Sequence, residues 1–123
     1  MGRENKETGS IGERIARKFL EQKGYEILGM NVRTYFGEID IVARRSGITV
    51  FVEVKTRLSS SLGPPLLNIT MAKQRHIIKN ALCYLTRHGS AHSDWRIDVV
   101  SVKLNGRYEL ESIELIENAV EDG

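Results

Sequence analysis

Asp40, Glu53 and Lys55 are the residues whose types and spacing could do chemistry together. Two segments rich in β-branched residues, 38–44 and 48–56, flank Ser46-Gly47, which reads as the turn of a β-hairpin. If so, Arg45 faces Ile48 and the numbers of opposed residues sum to 93. Asp40 then lies opposite Glu53, Glu38 opposite Lys55 and Val42 opposite Phe51. On the other face Ile39, Ile41 and Ala43 meet Val54, Val52 and Val50, an apolar set that a one-residue slip would destroy. Directly opposed carboxylates sit about 5 Å apart at Cβ and repel each other. A divalent cation removes that penalty, because hard oxygen donors at this separation can share one ion. Lys55, two residues beyond Glu53, falls on the same face and brings a positive charge. The plainer reading is a solvated polar face with Glu38 and Lys55 as a cross-strand ion pair, and spacing alone leaves both readings open.

Other elements must hold that hairpin in place. Residues 1–9 read as a flexible leader. Ser10-Ile11-Gly12-Glu13 has the spacing of a capping box, so a helix is expected from Ser10, with Ile15, Ala16, Phe19 and Leu20 as its apolar stripe and Gly24 at its end. Tyr25 to Arg33 reads as a first strand, with a turn near Phe36-Gly37. Ser59 to Pro65 is a loop by composition. Thr70 is the expected N-cap of a second helix running to Arg87, burying Ile78, Ala81, Leu82 and Leu85. Asp94 to Leu104 reads as a fourth strand, and Asn105-Gly106 as a two-residue hairpin turn into a fifth, Arg107 to about Leu115. The order αβββαββ predicts an α/β fold, a mixed sheet covered by helices. One domain over 10–117 is expected, with 118–123 as an acidic tail.

Glu53-Val54-Lys55, preceded by Asp40, resembles the signature of the PD-(D/E)xK nuclease superfamily: an acid on one strand, then E-x-K on the next. The gap between Asp40 and Glu53 is similar to that in archaeal Holliday-junction resolvases. The wider pattern looks like that of the YraN-like family of small bacterial proteins: Gly12-Glu13, GYEIL at 24–28, Asn31 and Arg33, GEID at 37–40, FVEVKTR at 51–57, KQRHI at 73–77 and RIDVV at 96–100. The resemblance spans nearly the whole chain. It implies a restriction-endonuclease-like three-layer sandwich and Mg²⁺- or Mn²⁺-dependent hydrolysis of DNA, with branched or repair intermediates as substrates. Asp40 and Glu53, helped by the Val54 carbonyl, would hold the ion, and Lys55 would orient or deprotonate water. Glu13 aligns with a helix glutamate used near the metal in junction-resolving relatives, although capping of Ser10 explains its spacing equally well.

The second helix opens with Lys73, Gln74 and Arg75, followed by Lys79, with no acid among them. With Arg57 these cations would suit phosphate contacts, or simply solvate a surface. Gln74 falls in line with the buried stripe. Asp98, in an otherwise apolar strand, must be paired or exposed, and a structural partner such as an arginine is favoured over a role as a second metal ligand. His76, His88 and His92 make no credible metal set, and Cys83 has no triad pattern around it. Trp95, Tyr25 and Phe51 read as core or semi-buried rather than as base-stacking platforms. No P-loop or Gly-rich dinucleotide motif is present.

With 123 residues, 41% of them hydrophobic, the chain has enough apolar material for one core. No apolar run approaches the roughly 20 residues of a membrane span. The polar start shows no signal-peptide region, and a lone cysteine fits a reducing cytoplasm. Residues 1–60 carry 11 Lys/Arg and 8 Asp/Glu, 61–90 carry 4 and none, and 91–123 carry 3 and 8. Such asymmetry can turn a basic face toward phosphates, or merely reflect a solvated surface with an acidic end. A homodimer would suit a junction-resolving role. Two rival functions stay open: a nucleic-acid- or partner-binding module without cutting activity, and a hydrolase of small phosphoesters.

Overall fold

A computed structural model of the chain describes residues 2–59, 70–89 and 93–120. Helix α1 spans Gly2–Gln22, followed by β1 (Glu26–Thr34), β2 (Gly37–Arg45), β3 (Ile48–Leu58), α2 (Met71–Arg87), β4 (Trp95–Leu104) and β5 (Leu110–Val120). The five strands form one sheet in chain order. β3 and β4 are parallel and joined through α2, and all other neighbours are antiparallel.

Each helix covers one face, which makes the expected three-layer α/β sandwich. Under α1, Ala16 and Leu20 pack with Tyr25, Ile41, Val52 and Val100. Under α2, Ile77, Ala81 and Leu85 pack with Val42, Phe51 and Ile97. Phe51 makes edge-to-face contacts with Tyr84 and Trp95, and Tyr25 and Phe51 are core residues as expected. Thr70 caps α2, its side chain accepting from the Lys73 N–H at 3.2 Å.

Several expectations need correction. Residues 2–9 are not a leader but the opening turns of α1. Ser10 and Glu13 are therefore mid-helix, where backbone N–H groups are already satisfied, and no capping box exists. The buried stripe of α2 is rotated: Ile77 and Asn80 are buried, while Leu82 is 46% exposed. Asn105-Gly106 is part of a longer loop. The Asn105 side chain accepts from the N–H groups of Arg107 and Glu109 at 2.8 and 3.0 Å, so β5 starts at Leu110. It runs on to Val120, which is buried and pairs with Ile97, so 118–120 are strand rather than tail. Most of the expected Ser59–Pro65 loop, His92 and residues 121–123 lie outside the described residues.

Candidate active site

The β2–β3 register is the expected one where the ladder exists. Arg45 pairs with Ile48, Ala43 with Val50, Val42 with Phe51 and Ile41 with Val52. The ladder then stops, and the expected direct pairings of Asp40 with Glu53 and Glu38 with Lys55 are not made. Asp40 Oδ2 instead accepts from the Val54 N–H at 2.8 Å. A side-chain oxygen thus takes a β3 amide that a continuing ladder would have given to a main-chain carbonyl.

The neighbouring strand β1 is irregular at the same level. Asn31 adopts φ 50°, a left-handed conformation that asparagine tolerates better than most residues. The Asn31–Asp40 pair is absent from the β1–β2 ladder, although Met30–Ile41 and Val32–Ile39 flank it. Met30 and Ile41 pack under α1, but Val32 and Ile39 pack under α2. Regular alternation would keep residues two apart on one face, so both strands change sides here, with no shift of their mutual register. The expectation that Ile39 shares a face with Ile41 is therefore wrong, and the change of sides frees Asp40 from both cores.

Four carboxylates gather around this break. Burial is the first cause that raises the Asp40 carboxyl, to about 7, and the neighbouring Glu53 charge is the second. The Val54 N–H opposes the shift, Glu13 adds to it, and Lys73 counters weakly. Glu13 is also raised, chiefly by burial, with the charges of Glu38 and Glu53 adding and a side-chain hydrogen bond with Asn31 opposing. Gly12 explains how α1 brings Glu13 so close: a Cβ there would lie 1.8 Å from Thr56 Oγ1 on β3. Only a glycine lets the helix rest on the strand at this point.

Lys73, expected at phosphates, reaches Glu53, Nζ to Oε1 at 3.2 Å. Lys55 makes no ion pair among the described residues. It lines a small depression with Thr56, Arg57 and Ser101, although β3 alternation keeps it on the face of Glu53. Arg75 and Lys79 lie exposed along α2. Glu38, Ile39, Glu53, Lys73, His76 and Asn80 help to line a cleft between β2–β3 and α2. His76 and Asn80 also meet the backbone of the β1–β2 turn, and a Cβ on Gly37 would lie 2.9 Å from His76 Nε2.

Asn31 and the cleft wall of His76 and Asn80 were missed in the sequence. Asn31 stood in the family pattern, but its left-handed backbone and its bond to Glu13 are tertiary facts. Asp98 is structural, as expected. Fully buried, it accepts from Arg96 Nε at 3.0 Å, from the Tyr25 hydroxyl at 2.9 Å and from the Asn118 N–H at 2.9 Å.

The donor set near Asp40 fits a hard divalent ion of the Mg²⁺ type. Among the described residues no three His, Cys, Asp or Glu side chains converge tightly enough to cage an ion. Mg²⁺ does not need such a cage, since it is commonly held by one or two carboxylates plus waters and substrate phosphate. Asp40 and Glu53 supply two carboxylates whose mutual repulsion such an ion would relieve.

Residues 12–102 match the pattern of the uncharacterised protein family UPF0102. A UPF0102 protein of Pelobacter propionicus is 51% identical over 114 residues, covering 89% of this chain and 81% of its own. Its counterpart in Geobacter metallireducens is 46% identical over 121 residues, 98% of either chain. One in Caldicellulosiruptor saccharolyticus is 45% identical over 114 residues, 93% of this chain and 97% of its own. Among solved structures, Pyrococcus furiosus SfsA in complex with Ca²⁺ superposes with a TM-score of 0.41 at 19% identity, over 96% of this chain. This chain spans 65% of the SfsA chain, and a likeness of that degree says nothing about activity.

Proposed function

The chain belongs to the uncharacterised protein family UPF0102, and we propose that it is a Mg²⁺- or Mn²⁺-dependent endonuclease acting on DNA. The observation that carries this reading is the Asp40 carboxyl, held off the ladder on the Val54 N–H and within range of the charges of Glu53 and Glu13 beside a cleft. Folding alone gains nothing from that crowding.

Asp40 and Glu53 would hold the ion, with the Val54 carbonyl as a further donor. When bound, it supplies Lewis-acid polarisation of the phosphoryl group and activation of water. The chain's own groups do the rest. The Val54 N–H fixes one Asp40 oxygen and so orients the other. Asn31 holds Glu13 by its side chain at the margin of the cluster. Lys73 neutralises Glu53 and is positioned to turn to an incoming phosphate. Lys55, on the same face, would stabilise charge on the phosphoryl oxygens or orient water. Arg75, Lys79 and Arg57 provide further phosphate contacts. No helix among the described residues is long and apolar enough to cross a membrane, and a cytoplasmic site of action on DNA belongs to this proposal.

A second reading, a DNA-binding module without cutting activity, is favoured by the Lys73–Glu53 ion pair, which meets part of the local charge without a metal. The purified chain with Mg²⁺ or Mn²⁺, offered duplex, single-stranded, flap and four-way DNA, separates the two. Nuclease activity predicts cutting of at least one form, lowered at least 100-fold by Asp40→Asn and by Lys55→Ala, in keeping with the loss of a group that stabilises transition-state charge. No cutting, with salt-sensitive binding that survives both substitutions, would establish the module instead.

A further inference from the structure

The β1–β2 turn carries a feature that neither the fold nor the acid cluster uses. Thr34 pairs with Gly37, leaving Tyr35 and Phe36 as the two residues at the tip. Tyr35 is 87% exposed and Phe36 43% exposed, and their rings meet edge to face with centroids 5.2 Å apart. Two-residue hairpin turns favour Asn, Asp and Gly, so turn chemistry does not ask for aromatic rings here, and no core receives them.

The tip is fastened to α2. The Thr34 hydroxyl meets the side-chain oxygen of buried Asn80 and also accepts from the Phe36 N–H at 3.1 Å. His76 packs against Gly37. Lys79 places its ammonium 5.8 Å from the centre of the Phe36 ring. Arg33, Tyr35 and Phe36 line one shallow depression with Glu38, and Arg33 lines the adjoining one with Arg87 and Tyr84. Rigid aromatic faces beside cations are the combination that binds single-stranded nucleic acid: charge follows the backbone while rings stack on bases. At about 3.3 Å per strand residue, the tip is roughly 13–17 Å along β2 from Asp40, a reach of a few nucleotides.

We infer that Tyr35 and Phe36 form a nucleobase-stacking platform, and that the DNA taken by this site carries unpaired bases next to the phosphate at Asp40. The inference rests on the proposal that the site takes DNA. In a continuous duplex every base face is covered by its neighbours, so the platform selects single-stranded segments, flaps or unpaired bases at branch points.

The test is binding measured apart from cutting. Fluorescence anisotropy of the full chain in EDTA would compare a labelled thymidine oligonucleotide with a duplex of the same length. Tyr35→Ala and Phe36→Ala should each weaken single-strand binding about tenfold, within the range known for base-stacking aromatics, while duplex binding stays within twofold. Tyr35→Phe should retain the wild-type affinity, because it keeps the ring. Equal losses on both DNA forms, or no loss on either, would overturn the platform. So would a concentration-dependent dimer in sedimentation that the two alanine substitutions abolish, since the rings would then be a self-association surface. Because EDTA removes cutting from the readout, failure of the nuclease proposal leaves this result standing. Conversely, Mg²⁺-dependent cutting with no single-strand preference would sink the platform alone.

Discussion

At the scale of single residues, the proposed chemistry turns on Asp40, and its protonation is measurable in the folded chain without substrate. Its carboxyl is raised to about 7 from an ordinary 3.8, first by burial and next by Glu53. Between pH 4 and pH 7 the folded chain therefore binds more protons than the unfolded one, and stability falls as pH rises through that window. In metal-free buffer the midpoint of thermal unfolding should decline from pH 5 to pH 7. Asp40→Asn, which keeps an acceptor for the Val54 N–H, should flatten that decline and be the more stable protein at pH 7. After a discount for the solvent that still reaches this partly buried group, the gain is on the order of 1–2 kcal/mol. A wild-type profile that rises over the window, or an unchanged slope in Asp40→Asn, would contradict the crowding of Asp40 by Glu53 and Glu13. The nearness of Asp40 to Glu53 was legible in the hairpin register, whereas that of Glu13 came only through the family resemblance, because its own spacing reads equally as a cap. Lys73 beside Glu53 was not legible, because that contact spans α2 and β3 and no local pattern encodes it.

At the scale of elements, the contact between α1 and β3 holds Glu13 in range of Asp40. Gly12→Ala would put a methyl group 1.8 Å from Thr56 Oγ1 and force the helix off the strand. Overpacking of this kind costs about 1–3 kcal/mol, read as a lower unfolding midpoint with helical circular dichroism retained. Thr56→Ala in the same chain should recover part of the loss, since the two positions share one contact. The β2–β3 hairpin was legible because its apolar alternation admits a single register. The start of α1 was not: Ser10-Ile11-Gly12-Glu13 has the letters of a cap, yet Arg3, Glu4, Lys6 and Glu7 favour helix and carry it upstream. Asn105-Gly106 misled for a related reason, because the Asn105 side chain organises a wider loop than a two-residue turn.

For the whole molecule, an ion at Asp40 and Glu53 would bind the folded chain and not the unfolded one. Mg²⁺ at a hundred times its dissociation constant should then stabilise the protein by about 2.7 kcal/mol. A thermal-shift titration should show this for the wild type and lose it in Asp40→Asn. An equal shift in both would place the ion elsewhere. The layered architecture followed from the αβββαββ order, but the exchange of sides at Asn31 and Asp40 had no counterpart in hydrophobic alternation, since Ile39 and Ile41 fit an uninterrupted strand just as well. That exchange also couples the two halves of the interior. Leu20 and Val100 belong to one apolar layer and Phe51 and Ile77 to the other, and the two strands pass from one to the other beside Asp40. Emptying space in either layer would strain that crossing point, so chains weakened at distant core positions should lose ion affinity before they lose their fold.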